Sequence, residues 1–494
     1  MISIPGRGET FCKPPHRDWR KIAEENNKKI PSNFFGIDAK SWRSEVFAMA
    51  LEYMEGLGVE VPVFYPDKPL LLSGHQPYPF HAGVYYKYRL LAGQSELFNP
   101  LWISMDTEPS GCFSAKVPSF RERPKIRKLS MLPLGDEAIF YSDAKTDKDR
   151  LGKFLEEAFD DLSTIPGGRF EFAEKFLEKV IGERSGNLPG KMRDVMLMLK
   201  REYCPELSSG VFELPLSEIC MTDNFHIFVY HLIAKGAEVR VAFNSSLANY
   251  RRAHQLRSAA NPFPDLQAKD GNIETLLWKV EGGERSPLFA KARDGKIYID
   301  ANGEMEIDSP EKLKQACLDA GIRIWPRAVA LSLLQRLFLG DLFVHGIGGA
   351  KYDQVTDEIV SSLFGMTPPV FAVASCTLEV EGLTDPASAI SELTQQEREM
   401  RFHPEDYLEM TGDTEEVYDE KERLILEIKQ EGADKKKLGA RISELNDFLI
   451  GKLEPEREKL RGRISALEEE AVRYNVLADR ELPFFFFSPN CFPE

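Results

Sequence analysis

Asp341-Leu-Phe-Val-His345-Gly346-Ile-Gly348-Gly349-Ala-Lys351-Tyr352-Asp353 sets an apolar run against a glycine-rich turn and a polar helix start. The order reads as strand, loop, helix, with the helix running from about Tyr352 to Phe364. Glycines in such a loop let the backbone approach a ligand closely. The free N–H groups at the start of the next helix favour an anion, phosphate first among them. The spacing matches neither the dinucleotide fingerprint nor the Walker pattern, so the stretch names no nucleotide, and a tight structural turn would use the same glycines.

A second stretch has the same grammar. Pro69-Leu-Leu-Leu-Ser-Gly74 is a short apolar run, Val84-Tyr-Tyr-Lys87 opens a helix, and between them lies a loop with His75, Gln76 and His81. Two histidines six apart in a Pro/Gly-bounded loop resemble what nucleotidylyl-transfer folds place over phosphates, where imidazole donors stabilise developing charge. Leu97 to Met105 reads as another buried strand with Asp106 at its C-terminal end, the edge of an open parallel sheet where ligands bind. Asp106 there could orient an amine, or serve as an ordinary helix cap.

The totals bound the answer. With 494 residues, 43% hydrophobic and 11% aromatic, the chain is globular and long enough for one large core or two. There is no apolar run of about 18 residues and no signal-peptide h-region after Met1, so the expectation is a cytoplasmic protein off the membrane. A net charge of −16 argues against general nucleic-acid binding but leaves room for a small anionic ligand in a local positive pocket. Seven cysteines, Cys112 among them, stand without a Cys-x-x-Cys pair, and no ligand cluster has metal spacing.

Elsewhere, residues 1–67 form an N-terminal arm with a helix from about Ser41 to Leu57. Residues 145–205 read as three helices, broken at Pro166-Gly167-Gly168 and Leu188-Pro189-Gly190. Ile219 to Leu232 predicts a helix and Glu238 to Phe243 a strand. Asn244 and then Arg251 follow as a third candidate anion contact, against which stands the plainer reading of solvated surface arginines. Asp294-Gly295 and Asn302-Gly303 join alternating segments into an antiparallel meander over 286–308. Arg327 precedes the helix at Ala328 to Phe338 and could meet a ligand carboxylate or the preceding backbone. From 393 to 480 charges dominate. Ile442, Leu445, Leu449, Leu453, Leu460, Ile464 and Leu467 recur as a coiled-coil seam, with a turn at Glu431 to Asp434 and a bend at Pro455 where the helix restarts. That seam predicts a homodimer, although a hairpin within one chain would use the same leucines. Residues 481–494, Leu482-Pro-Phe-Phe-Phe-Phe-Ser-Pro at their centre, should return to the core as a strand.

In this order the chain resembles the bacillithiol biosynthesis cysteine-adding enzyme family, putative ligases joining L-cysteine to glucosaminyl malate. Ser73-Gly74-His75-Gln76 with Gly83 and Lys87 looks like that family's Thr-Gly-Gln-Gln start. Trp102-Ile-Ser-Met-Asp106 looks like its Trp-Ile-Ala strand ending in Asp. Trp325-Pro-Arg327 after the meander is similar to its Leu-Arg-Pro segment, and Gly346-Ile-Gly348-Gly349-Ala-Lys351-Tyr352 stands where it has Gly-Gly-Pro-Gly-Glu-Ile-Ala-Tyr. The chain departs from the family in having His345 and Lys351 at the glycine loop. The His-Gln-Pro-Tyr stretch is also similar to the WbqC-like family of sugar-pathway proteins. The first resemblance implies an α/β fold: a nucleotidylyl-transferase-type Rossmann core over 68–392, a helical connector, a dimerising C-terminal antiparallel coiled coil, and an ATP or ADP site. In that picture Gly346, Gly348 and Gly349 cradle phosphate, and His345 and Lys351 neutralise charge. His75, His81, Gly74, Gln76, Lys87 and Tyr352 line the same crevice, Asp106 holds an amine, and Arg327 a carboxylate. A non-catalytic nucleotide- or metabolite-sensing dimer and a structural scaffold are the competing readings.

Overall fold

Two strand ends and the helices that follow them organise the fold. In the computed structural model, residues 3–493 are described apart from 110, 112, 134, 136–138, 301, 302, 381 and 410, so Cys112 and the Asn302 turn residue lie outside the described residues. The chain divides into two units. Unit one comprises Met1–Val117, Arg127–Glu379 and Arg480–Glu494; unit two comprises Pro118–Ile126 and Val380–Asp479.

The first unit is mixed α/β. It opens with β1 (Thr10–Lys13), α1 (Trp19–Asn27), the two-residue β2 (Asn33–Phe34) and β3 (Ile37–Asp38), and α2 (Ala39–Gly56), whose first turn is capped by the Asp38 carboxylate accepting from the Lys40 N–H. Next come β4 (Leu70–His75), α3 (Ala82–Gly93) and β5 (Asn99–Ser104). The pair β6 (Ser114–Ser119) and β7 (Lys125–Ser130) leads to the helices α4 (Lys148–Leu162), α5 (Glu171–Leu177), α6 (Met192–Tyr203) and the one-turn α7 (Pro205–Ser208). After β8 (Phe212–Pro215) and α8 (Leu216–Ile219), two longer helices follow, α9 (Asp223–Ala234) and α10 (Gly236–Ala253).

The strand expected over 238–243 is instead part of α10. Val-Arg-Val-Ala-Phe alternates locally, but Val239, Phe243, Leu247 and Tyr250 are the buried positions, a helical period that packs the whole face.

A second sheet, antiparallel in order β13-β12-β11-β10-β14 with the short β9 (Ala268–Lys269) on β10, comprises β10 (Asn272–Glu281), β11 (Glu284–Arg293), β12 (Lys296–Asp300), β13 (Glu304–Ile307) and β14 (Ile322–Pro326), with α11 (Pro310–Asp319) before its last strand. It is wider than the expected meander over 286–308. Gly282 and Gly283 make a further tight turn with both φ positive, as Asp294 and Gly295 do.

Then come α12 (Ala328–Leu334), one π-helical turn at Gln335–Leu339, β15 (Leu342–His345), α13 (Ile347–Phe364) and β16 (Ala372–Cys376). The helix expected from about Tyr352 begins five residues earlier, so Gly348 and Gly349 are its first turn rather than a loop.

The main sheet runs β1-β16-β15-β4-β5-β8, with β16 to β8 parallel and β1 antiparallel at the edge. Its middle is pinned by polar side chains at the strand starts. Asp341 accepts from the Leu70 N–H and from Arg43, each at 2.7 Å, and Asn26 bonds both the Asp341 carbonyl and the Val370 backbone. From β4 the chain winds outward through β5 to β8. It later re-enters at β15 and winds the other way to β16, so the strand order reverses between β4 and β15.

Residues 481–494 do return to this unit, but as 3-10 turns at Phe484–Phe486 and Pro489–Cys491 rather than as a strand. Pro483 and Pro489 start those turns and withhold the N–H groups a ladder would need. One bridge, Pro483 to His81, is all the pairing the described residues make there, while Phe484 stacks on Tyr85 at 4.6 Å and is fully buried.

The second unit carries α14 (Ala387–Phe402), α15 (Asp413–Glu427) and α16 (Lys435–Leu477). Asp434 caps α16 by accepting from the Lys437 N–H. The helix runs on through Pro455 instead of restarting there, since one missing N–H leaves the rest of a long ladder intact. Leu445, Leu449, Leu453 and Leu460 are buried within this one chain, and Arg441–Glu420 and Arg457–Glu397 ion pairs lace the helices. Among the described residues no helix is long and apolar enough to cross a membrane.

Candidate functional site

A cavity of about 430 Å³ opens where the strand order reverses, at the C-terminal ends of β4 and β15. Ligands of open parallel sheets bind at that place. β4 and its loop contribute Gly74, His75, Gln76 and His81. α3 contributes Gly83 and Lys87, β15 contributes His345, and the start of α13 contributes Gly346, Gly348, Gly349 and Tyr352. The N-termini of both α3 and α13 therefore border the cavity. α13 has no side-chain cap, which leaves its first backbone N–H groups for another acceptor. Tyr352 and Phe263, with ring centroids 5.6 Å apart, form an aromatic rim.

The wall is built from buried nitrogen bases. Lys87 is only 4% exposed. Its ammonium donates to the Gly74 carbonyl at 2.9 Å and lies 5.3 Å from the Trp102 ring, and burial pushes its pKa down to about 7. His75 Nδ1 is 3.2 Å from the Gln76 carbonyl, which assigns the proton to Nδ1 and leaves Nε2 as a lone pair. His81 Nδ1 accepts from the Gly83 N–H at 3.1 Å, so its proton sits on Nε2. Burial first, then the nearby Lys87 and His81 for His75, and Arg480 and Lys87 for His81, push both imidazoles down to about 3, so both are neutral at physiological pH.

Opposite charges are spent on one relay. His345 Nε2 is 2.9 Å from Asp353 Oδ2, and Arg336 Nη1 is 2.6 Å from the same oxygen. Burial pushes the Asp353 carboxyl up, but the Arg336 guanidinium and the His345 imidazole outweigh it and hold the group well below the ordinary carboxylate range. A carboxylate fixed on one imidazole nitrogen orients the ring and leaves Nδ1 to exchange a proton with a ligand. A Cβ at residue 349 would stand 2.9 Å from that Nδ1, which is why a glycine follows His345 one turn on.

Other residues named from the sequence are placed elsewhere. Asp106 is fully buried and bound to Arg193 and to the Ser217 N–H and hydroxyl, a network that ties α6 and α8 to β5, and it is not among the residues lining this cavity. Asn244, inside α10, exchanges hydrogen bonds with the Leu266 backbone. Arg251 holds Asp265 and the carbonyls of Ala259, Asn261 and Phe263, and so fixes a loop. Arg327 pairs with Glu274 at 2.8 Å over the Trp278 ring. Lys351 is exposed and does not line the cavity. In their place the fold brings Arg480, Asp353, Arg336, Gln335 and Ser375 to the cavity or its immediate support. Asp353 had a visible signal, standing eight residues after His345 on a helix that starts at 347; Arg480, far along the chain after the long helix, had none.

Among the described residues no group of three or more His, Cys, Asp or Glu side chains could hold a metal ion, and Cys12, Cys204, Cys220, Cys317, Cys376 and Cys491 are free thiols. A scan of protein-family models and a search of curated proteins both return no match to this chain.

Proposed function

We propose that this chain is a group-transfer enzyme of the carbon–nitrogen ligase kind. It holds the phosphates of ATP or ADP in the crevice between β4 and β15 and joins cysteine or a related small amine or thiol to a sugar-acid acceptor, as in bacillithiol-type thiol biosynthesis. In this reading the main sheet is a Rossmann-like, nucleotidylyl-transferase-type core and the helices of the second unit are a coiled coil through which a homodimer forms. The observation that carries the reading is Lys87: a buried amine with no carboxylate partner among the described residues, at the point where two helix N-termini meet the reversal of strand order. Preorganised positive groups in a dry crevice are what a transferring phosphoryl or acyl-phosphate group requires. The His345–Asp353 pair supports a role in taking the proton that an attacking amine releases, and His81 Nε2–H supports a role as a neutral donor to developing negative charge.

Calorimetric titration with ATP and with ADP tests it. The wild-type protein should bind at least one of them, and Lys87→Met, folded by circular dichroism, should bind about tenfold to a hundredfold more weakly, as expected for one charge-assisted contact. Wild-type protein that binds neither nucleotide at millimolar concentration would sink the proposal.

A further inference from the structure

Arg480 is a second cationic side chain on the crevice, and three hydrogen bonds fix its setting. Its Nε donates to Thr377 Oγ1 at 3.0 Å, and Nη2 donates to Ser375 Oγ at 2.8 Å and towards the Cys376 carbonyl at 3.4 Å. All three partners are neutral. A Cβ at residue 83 would stand 2.7 Å from Nη2 and 2.6 Å from Ser375 Oγ, so the start of α3 reaches the guanidinium only because Gly83 is there. Among the described residues Nη1 makes no hydrogen bond. Glu481 Oε1 lies 3.8 Å from it, near enough for an ion pair but beyond hydrogen-bond reach, on a side chain 52% exposed.

The two cationic groups that face the cavity have no carboxylate within hydrogen-bond reach among the described residues. They are Arg480 and, when protonated, Lys87; the Asp353 carboxylate that lines the cavity is bound by Arg336, which Asp357 also binds, and Glu481 lies 3.8 Å from Arg480. Two helix N-termini add positive potential. Burying a cation without a counter-charge is expensive, and a ligand with a single negative charge would leave half of that cost in place.

We infer that Arg480 is a ligand-binding residue and that the crevice takes a compact dianion, held between the Nη1 edge of Arg480 and the ammonium of Lys87. The inference rests on the crevice being the ligand site proposed above and specifies what enters it: a phosphomonoester or a pair of neighbouring carboxylates, not a monoanion. Inorganic phosphate, malonate and acetate, each titrated calorimetrically into the full chain at about pH 7.5, distinguish these. Phosphate or malonate should bind at least about tenfold more tightly than acetate, and whichever binds better names the group. Arg480→Gln should weaken dianion binding at least about tenfold and leave acetate unchanged. Since Arg480 also fastens the segment after it to β16, the thermal midpoint is read with and without dianion. A dianion-induced rise in the wild type that is missing from Arg480→Gln separates binding from fastening. If Arg480→Gln does not fold, Arg480→Lys, which keeps the charge but not the planar fork, should show the same weakening. Dianion affinity unaltered in the folded variant, or acetate bound as tightly as phosphate and malonate, overturns the inference and leaves a nucleotide site at Lys87 standing. Wild-type protein that binds none of the three anions and no ATP removes the crevice reading itself, and this inference with it.

Discussion

Lys87 links function to stability at a single residue. In the unfolded chain its ammonium keeps its proton to its ordinary value, whereas in the fold burial lowers the pKa to about 7. Between the two values the unfolded chain binds more protons, so this residue makes stability rise with pH across roughly 7 to 10.5. The cost of burying the charge is fully present below that window. A shift of this size corresponds to at most about 5 kcal/mol. Lys87→Met is therefore expected to be a few kcal/mol more stable than the wild type near pH 7 and to lose most of the alkaline rise, read by urea unfolding near pH 7 and near pH 9. A variant that is both stabilised and unable to bind is the mark of a side chain kept for a ligand rather than for the core. His75 and His81 act on the acid side. Their folded pKa values near 3 lie below the ordinary histidine value, so the stability they contribute is present above about 6.5 and drains away as pH falls towards 3.

At the scale of elements, glycines with similar places in the sequence do different work. A Cβ on Gly74 would stand 2.2 Å from the Ile103 carbonyl oxygen of the neighbouring strand, so Gly74→Ala must part β4 from β5 and should cost about 2 kcal/mol or more. At Gly348 nothing lies within 4 Å of the added atom, and the position is helical. Gly348→Ala should be neutral or stabilise by up to about 1 kcal/mol. Chemical unfolding of the two variants checks both signs. The same elements show what the sequence made legible. Apolar runs ending in Gly74-His75 and in His345-Gly346 announced β4 and β15, because a strand buried on both faces has a distinctive composition and its C-terminal loop must be polar. The helix over 238–253 was misread because five alternating residues cannot outvote a burial period that only packing reveals. Asp106, Arg251 and Arg327 looked like ligand contacts because a charged residue at a strand or helix end has the same sequence signature whether its partner is a substrate or Arg193, Asp265 or Glu274. Arg480 was invisible since its partners on β16 lie about a hundred residues earlier in the chain.

At the scale of the whole molecule, the helical unit buries Leu445, Leu449, Leu453 and Leu460 within one chain while Leu426 stays exposed. Leu449 is fully buried inside one chain, so Leu449→Asp should unfold 380–479 as a local event, read by chemical unfolding. The homodimer proposed above predicts in addition a wild-type midpoint that rises with protein concentration. The helical unit is an insertion in sequence, and the segments that flank it are joined within the first unit. The chain leaves the first unit after Glu379, and on its return Arg480 bonds straight back to Thr377 and Ser375. During synthesis, β16 is therefore complete well before the residues that close the core over Tyr85 and Tyr203. At about 5–20 residues per second the ribosome needs roughly 5–20 s to make 380–479, and through that interval the crevice lacks Arg480 and the aromatic ring of Phe484 has yet to cover its neighbours. A nascent chain thus cannot offer a finished pocket before its helical unit exists, and a chain cut short within that unit would lack both Arg480 and the Phe484 ring that covers Tyr85.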